Sequence, residues 1–277
     1  MRLLLLTMCF AVLCLTAQAD VRLTFGVYAS DKPLTMVKKF RHTLSEIERH
    51  MEVTLNEPVK IKIHVARTYE QGISDLVEGH VDFARFGPVS YVEAKSLNPK
   101  IGILALESIK GEKTFYGILA THMNSTINSV DDLKGKKVAF GNKGSTIGRY
   151  LAQQYLAENK IYAYDLENFD YLDRHDAVGE AVGIGTFDAG FLKEGTFKKQ
   201  IESGVALREV ARFPNVTKPW LYAGGMSPHV ARALRLALLE MDNPKIVADG
   251  SFIEGSDDDF SEIRKSIQGN RVFFKGE

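Results

Sequence analysis

Phe140-Gly141-Asn142-Lys143-Gly144-Ser145-Thr146-Ile147-Gly148 stands between a short apolar run, 137–140, and a stretch of helical spacing, 145–159. A strand entering a helix through a glycine-rich turn is a building unit of α/β proteins. The glycines let the backbone turn tightly, and Ser145 and Thr146 set hydroxyls beside the unpaired N–H groups of the helix start. With the helix dipole behind it, the segment makes a cradle for an anion. The same residues suit a plain strand-to-helix turn with Ser145 as N-cap. Chemistry alone leaves both readings open. No Gly-Lys-Ser/Thr closes the segment, so it is not a P-loop.

The pattern extends in both directions. Upstream, 21–27 reads as a strand and 33–50 as a helix, with Pro33 in its first turn and Leu34, Val37, Phe40, Leu44 and Ile47 at helical spacing. Strands over 59–65, 81–84 and 101–106, with helices over 69–78 and 88–94, complete a first unit. Downstream come strands over 115–120, 137–140, 169–172, 187–191 and 206–210, with helices over 145–159, 175–182 and 194–203. Helices over 228–241 and 257–267 follow a connection at 213–219. The acidic Asp257-Asp258-Asp259 reads as a helix N-terminus, since it lacks the spaced ligands and glycine of a calcium loop. Alternating strands and helices without a fixed repeat predict an α/β fold. Two lobes joined by a two-strand hinge are expected: 20–112 as the first part of lobe 1, 113–215 as lobe 2, and 216–277 returning to lobe 1 with the C-terminal helices.

The first residues read as an export signal, 1–19. Arg2 gives a positive start, 3–15 is an apolar run too short to span a bilayer comfortably, and Ala17-Gln18-Ala19 offers a small-x-small cleavage site after Ala19. Both cysteines, Cys9 and Cys14, lie inside this segment. The exported chain is thereby expected to hold no disulfide, thiol nucleophile or thiolate metal site. Loss of Arg2 leaves 34 basic and 35 acidic residues. That balance is no footprint for nucleic acid. The expected place is the periplasm, and the expected state a monomer.

Further segments carry a family resemblance. Val81-Asp82-Phe83-Ala84-Arg85-Phe86-Gly87-Pro88-Val89-Ser90-Tyr91 resembles the VD-x-A-x-F-G-P-x-S-Y segment of PhnD-like periplasmic binding proteins for phosphonate, phosphite or phosphate. Asp132-Leu133-Lys134-Gly135-Lys136 resembles their DLKGK strand entry, and Ser145-Thr146-Ile147-Gly148 their STSG helix start. Arg174-His175-Asp176-Ala177 and Asp188-Ala189 resemble two further segments. Order and spacing agree from about Val21 to Trp220.

The resemblance implies a type II periplasmic-binding fold that holds a small anionic ligand between its lobes, without a cofactor or metal. It points to Tyr69, Tyr116, Ser145, Thr146 and His175 as ligand-binding candidates. Tyr, Ser and Thr hydroxyls donate to oxyanions, and a protonated His adds charge to a donor. Two departures stand out. Family members that bind phosphonates carry a serine where Ile147 stands, and a bond to a charged group is worth about 1.5–3 kcal/mol. The family's amine-binding acids find no clear match either, Asp188 being the nearest candidate. Arg85 is read as a solvated residue at a strand end, with a charge in the cleft as the other reading. Trp220 is read as packing the returning hinge.

No H-E-x-x-H, G-x-S-x-G or dinucleotide G-x-G-x-x-G motif occurs. The expected function is capture of a small oxyanion for the permease of an ABC importer rather than catalysis. The alternatives are a module that presents its closed form to a membrane sensor, and an enzyme on the same fold.

Overall fold

Leu23, Phe25, Val27 and Tyr28 bury Val21–Tyr28 as a strand, β1, one place in from the edge of the first sheet. The structure is a computed structural model that describes residues 20–28, 33–241 and 251–275. The export segment and its expected cleavage after Ala19 lie outside the described residues. Helix α1 (Pro33–Leu55) carries β1 to β2 (Val59–Ala66), which pairs with it in parallel, Val21 opposite Val59. β2 is an edge strand that turns Val59 and Ile61 inward and Lys60 and Lys62 to water. Charges on such an edge discourage further pairing. Thr68 caps α2 (Tyr69–Val77), its hydroxyl accepting the Gln71 N–H at 3.1 Å. β3 (Phe83–Arg85), α3 (Pro88–Leu97) and β4 (Gly102–Glu107) follow.

The chain then crosses to a second sheet. There lie β5 (Thr114–His122), β6 (Lys137–Phe140), α4 (Ala152–Glu158), β7 (Asn168–Tyr171), α5 (His175–Gly183), β8 (Ala189–Lys193), α6 (Glu194–Glu202) and β9 (Leu207–Val216). It returns through β10 (Pro219–Tyr222), α7 (Pro228–Leu239), β11 (Phe252–Ile253) and α8 (Ser261–Lys275). The strand orders are β11-β4-β10-β3-β1-β2 and β7-β6-β8-β5-β9. Each sheet has helices on both faces, as an α/β lobe requires. The two crossings run side by side: Thr217 N–H donates to the Lys113 carbonyl at 2.9 Å, and Glu107 N–H to that of Lys218 at 3.0 Å. Two hydrogen-bonded crossings of this kind form a hinge.

Sequence patterning misses β10 and β11, which are too short to show a period. It also ends β9 at 210, whereas pairing continues until Val216 lies opposite Thr114. Charged Arg208, Glu209 and Arg212 mask the strand pattern there.

The larger difference concerns the last helix. The sequence reading returns 216–277 to lobe 1, but α8 bridges the lobes. Phe260, just before α8, meets Tyr91 of α3 with ring centroids 4.6 Å apart. At the other end Phe273 packs against Phe140 and Phe169 of the second lobe, both at 5.8 Å. Asn270 donates to Gln153 Oε1 at 2.8 Å, and Lys113 at the hinge pairs with Asp259 at 2.9 Å. The apolar spacing of α8 reveals a buried stripe without revealing which lobe covers it. Among the described residues, no helix is long and apolar enough to cross a membrane.

Phe273 is 1% exposed. Truncating a buried phenylalanine removes its transfer energy and leaves a cavity, so Phe273→Ala is expected to lower stability by about 3–5 kcal/mol in urea unfolding.

Candidate functional site

The turn after β6 is built on close backbone approach. Gly141 N–H donates to the Gly148 carbonyl at 2.8 Å, and a Cβ on Gly148 would lie 2.8 Å from Gly141 Cα. Only glycine fits such a crossing. The first helical turn is wide, with Arg149 and Tyr150 N–H both reaching the Ser145 carbonyl, at 3.1 and 3.3 Å. Thr146–Leu151 is accordingly a π-helical turn ahead of α4, where patterning suggested plain α-helix from 145. Turns of this type concentrate at functional sites.

Ser145 Oγ accepts the Gly148 N–H at 2.9 Å, as an N-cap does, and also lines a cleft between the lobes. The two readings of this segment are therefore compatible, since a hydroxyl that accepts one bond keeps its own proton to donate. His175 opens α5 immediately beyond β7, its Nε2 3.5 Å from Ser145 Oγ. The cleft encloses about 460 Å³ of non-protein space, part of it open to solvent.

Across the cleft, the first lobe supplies stacked rings and a helix start. Tyr28 stacks on Tyr69 with centroids 4.0 Å apart, and both line the cleft. The Tyr28 hydroxyl accepts the Gly87 N–H at 2.5 Å and pairs with Ser90 Oγ at 3.1 Å. Burial pushes the Tyr28 phenol up, so it stays a protonated donor near neutrality. The next free amide of α3, Val89 N–H, donates to Thr146 Oγ at 3.0 Å. That bond joins the lobes at the cleft itself. Nearby, burial raises the carboxyl of Glu93 above its ordinary range, and Tyr150 of the second lobe donates to it at 3.5 Å.

Of the residues singled out from sequence, Tyr69, Ser145, Thr146 and His175 meet in this cleft. Tyr116 and Asp188 do not line it. Phe115, one residue earlier on β5, faces the cleft, so Tyr116 points to the opposite face, where it lies under the Arg212 guanidinium at 5.3 Å. The Asp188 carboxylate accepts the Lys137 N–H at 2.8 Å, at the end of the sheet far from Lys193. Ile147 does line the cleft, giving it an apolar wall at that point.

Arg85 corrects the sequence reading. It is a buried residue of β3, 6% exposed, rather than a solvated one. Glu107 holds it with both carboxylate oxygens, at 2.6 and 2.8 Å, and its guanidinium lies 5.2 Å from the Phe40 ring centroid. Trp220 packs in the core against Phe25 and donates its indole N–H to the same Glu107.

Patterning also overlooks Tyr28, Lys193, Asn215 and Lys218, all cleft residues. Lys193 ends β8, and Asn215 lies near the end of β9. A polar residue at the carboxyl end of a buried strand is the available signal, because ligands of open α/β sheets bind there. Among the described residues, no cluster of His, Cys, Asp or Glu is arranged to hold a metal ion.

The family model described as "ABC transporter, phosphonate, periplasmic substrate-binding protein" matches residues 25–260. The chain belongs to that family. Its matched stretch contains every cleft residue named above. Among curated relatives, the ABC transporter phosphite binding protein PhnD1 of Prochlorococcus marinus is 24% identical over 174 residues, covering 60% of this chain and 56% of the relative. The phosphate-import protein PhnD of Mycolicibacterium smegmatis is 26% identical over 214 residues, 71% of this chain and 66% of the relative. The chain thus matches under two thirds of either relative's length. The crystal structure of Prochlorococcus PhnD1 in complex with methylphosphonate superposes with a TM-score of 0.75 at 18% identity, covering 91% of this chain and 98% of that one. The shared architecture is the two-lobed periplasmic-binding fold expected from the sequence.

The buried pair beneath the cleft is open to a stability test. Glu107→Gln leaves the Arg85 guanidinium buried without its carboxylate, so a loss of about 3 kcal/mol is expected in urea unfolding.

Proposed function

We propose that this protein captures a phosphorus oxyanion of the phosphonate, phosphite or phosphate type between its lobes, in the periplasm, and delivers it to the permease of an ABC importer. The observation that carries this reading is the convergence of the Ser145 and Thr146 hydroxyls and the His175 imidazole in one interlobe cleft. Family membership supports it, as do the oxyanions named for the two curated relatives. Tyr69, stacked on Tyr28, completes the set of cleft residues first proposed from sequence.

Physically, the hydroxyls donate to the anion's oxygens while still accepting from backbone amides. Thr146 is bound to Val89 N–H, so a ligand held by Thr146 is also held against α3. Ligand capture and closure of the lobes are thereby coupled through one oxygen atom. Closure presents a new outer surface to a permease, as hinge-bending receptors do. Ile147 in place of a hydroxyl residue leaves one donor fewer for the anion.

Calorimetric titration of purified protein with methylphosphonate, phosphite, phosphate, sulfate and acetate tests the reading. Binding of at least one of the three phosphorus oxyanions is expected. Ser145→Ala and Thr146→Val should each weaken that ligand about tenfold or more, the cost of a hydrogen bond to a charged group. No binding of any phosphorus oxyanion would contradict the proposal.

A further inference from the structure

The turn that carries Ser145 and Thr146 is also held from a side that the cleft does not touch. The Arg149 guanidinium lies 4.7 Å from the Tyr150 ring centroid and donates through Nη1 to the Lys143 carbonyl at 2.7 Å, just before Ser145. Its Nη2 donates to Asn270 Oδ1 of α8 at 3.2 Å. Asn270 Nδ2 donates in turn to Gln153 Oε1 of α4 at 2.8 Å, and Gln153 Nε2 donates to the Tyr171 hydroxyl at 2.7 Å. Tyr171 ends β7, the strand that leads to His175. One chain of hydrogen bonds therefore runs from the Ser145 turn, through α8, to the strand that delivers His175.

Asn270 is the middle of that chain and uses both polar atoms of its amide. It is 6% exposed, and Gln153 is fully buried. The other buried residues of α8 fasten the helix without reaching the turn. Ile263 and Phe273 are apolar, and Ser266 donates within the helix to the Ile263 carbonyl at 2.8 Å. An apolar side chain at position 270 would continue this stripe, but it would leave Arg149 and Gln153 each short of a partner. A buried polar chain selects one geometry, because a buried donor or acceptor without a partner is costly. Among the described residues, none of α8 lines the cleft. The approach to α8 is anchored on lobe 1, where Phe260 meets Tyr91 and the Tyr91 hydroxyl donates to Asp257 at 2.6 Å.

We propose that Asn270 is a positioning residue for anion capture, through which α8 sets the Ser145–Thr146 turn and the approach to His175. The inference rests on Ser145, Thr146 and His175 holding the oxyanion. Without the Asn270 amide, Arg149 loses one of the contacts that aim it at the Lys143 carbonyl. The peptide groups leading into Ser145 then lose the donor that orients them, and the two hydroxyls meet the anion off line. Asn270 itself never touches the ligand. Because α8 starts on lobe 1 and ends against lobe 2, the arrangement of the lobes reaches the site by a route behind the cleft as well as across it.

Calorimetry on the purified protein tests the role, with whichever of methylphosphonate, phosphite and phosphate binds it most tightly. Asn270→Leu should weaken that ligand about tenfold, with urea unfolding showing the variant folded under the titration conditions. Should Asn270→Leu not fold, Asn270→Ser, too short to reach Arg149, takes its place. Asn270→Asp should recover most of the affinity. Its carboxylate accepts from Arg149, and the Gln153 amide can turn over to donate to it and accept the Tyr171 proton. Arg149→Met breaks the chain at the turn and should weaken the ligand to a similar degree. Combined with Asn270→Leu it should cost no more than the weaker single variant, since both act on one link. Unchanged affinity in Asn270→Leu or Arg149→Met, equal losses in Asn270→Leu and Asn270→Asp, or losses that add in the double variant would overturn the positioning role and leave the oxyanion reading in place. If none of the three oxyanions binds the unaltered protein, the oxyanion reading falls and this inference with it.

Discussion

The Thr146 hydroxyl accepts the Val89 N–H across the cleft, and much of the surrounding structure serves to place those two atoms 3.0 Å apart. Thr146 is held from one side by a glycine crossing and a wide π-helical turn that begins at its own position. Val89 is held from the other by α3, whose preceding amide is bound by the Tyr28 hydroxyl. Each lobe therefore brings a helix start to the cleft, where unpaired N–H groups and dipoles favour negative charge. The hydroxyls satisfy part of that demand and keep their own protons available for a ligand.

A second constraint lies beneath the cleft. Glu107 ends β4 at the first crossing and gathers Arg85 of β3 and Trp220 of β10. These strands adjoin the hinge, so the ion pair fixes the first lobe's side of it. The second lobe contributes the α8 contacts, which tie the lobes behind the cleft through Phe260 and Phe273. Opening of the cleft is thus resisted by two crossings and one helix. Motion about them is expected to be a rotation with small amplitude at α8.

Much of this was legible in the sequence. Strand-like apolar or alternating patterns marked β1, β2 and β4, and helical spacing marked α1 and α7. The Gly141–Gly148 segment announced its turn, and the ordered motifs brought Tyr69, Ser145, Thr146 and His175 to one cleft. What remained hidden depended on pairing partners distant in sequence. Whether Tyr116 or Phe115 faces the cleft is a question of strand register, and a shift of one residue reverses the answer. The partner of Arg85 lies 22 residues away, and nothing local shows that it is buried. Asn215 reads as an ordinary polar residue until its burial without partners is seen. The course of α8 depends on which lobe covers Phe273, a tertiary fact with no local signature.

The central claim is a clamp whose lobes move when an oxyanion binds. The expected export product contains no cysteine, so two introduced ones can be labelled cleanly. Val53 on α1 and Ile184 just beyond α5 are exposed positions on opposite lobes, 79% and 81% accessible. Single-molecule energy transfer between dyes on Val53→Cys and Ile184→Cys reports the interlobe distance. At saturation, at least one of methylphosphonate, phosphite and phosphate is predicted to displace the distribution into one narrower population. A distribution unchanged by methylphosphonate, phosphite and phosphate alike would contradict the account.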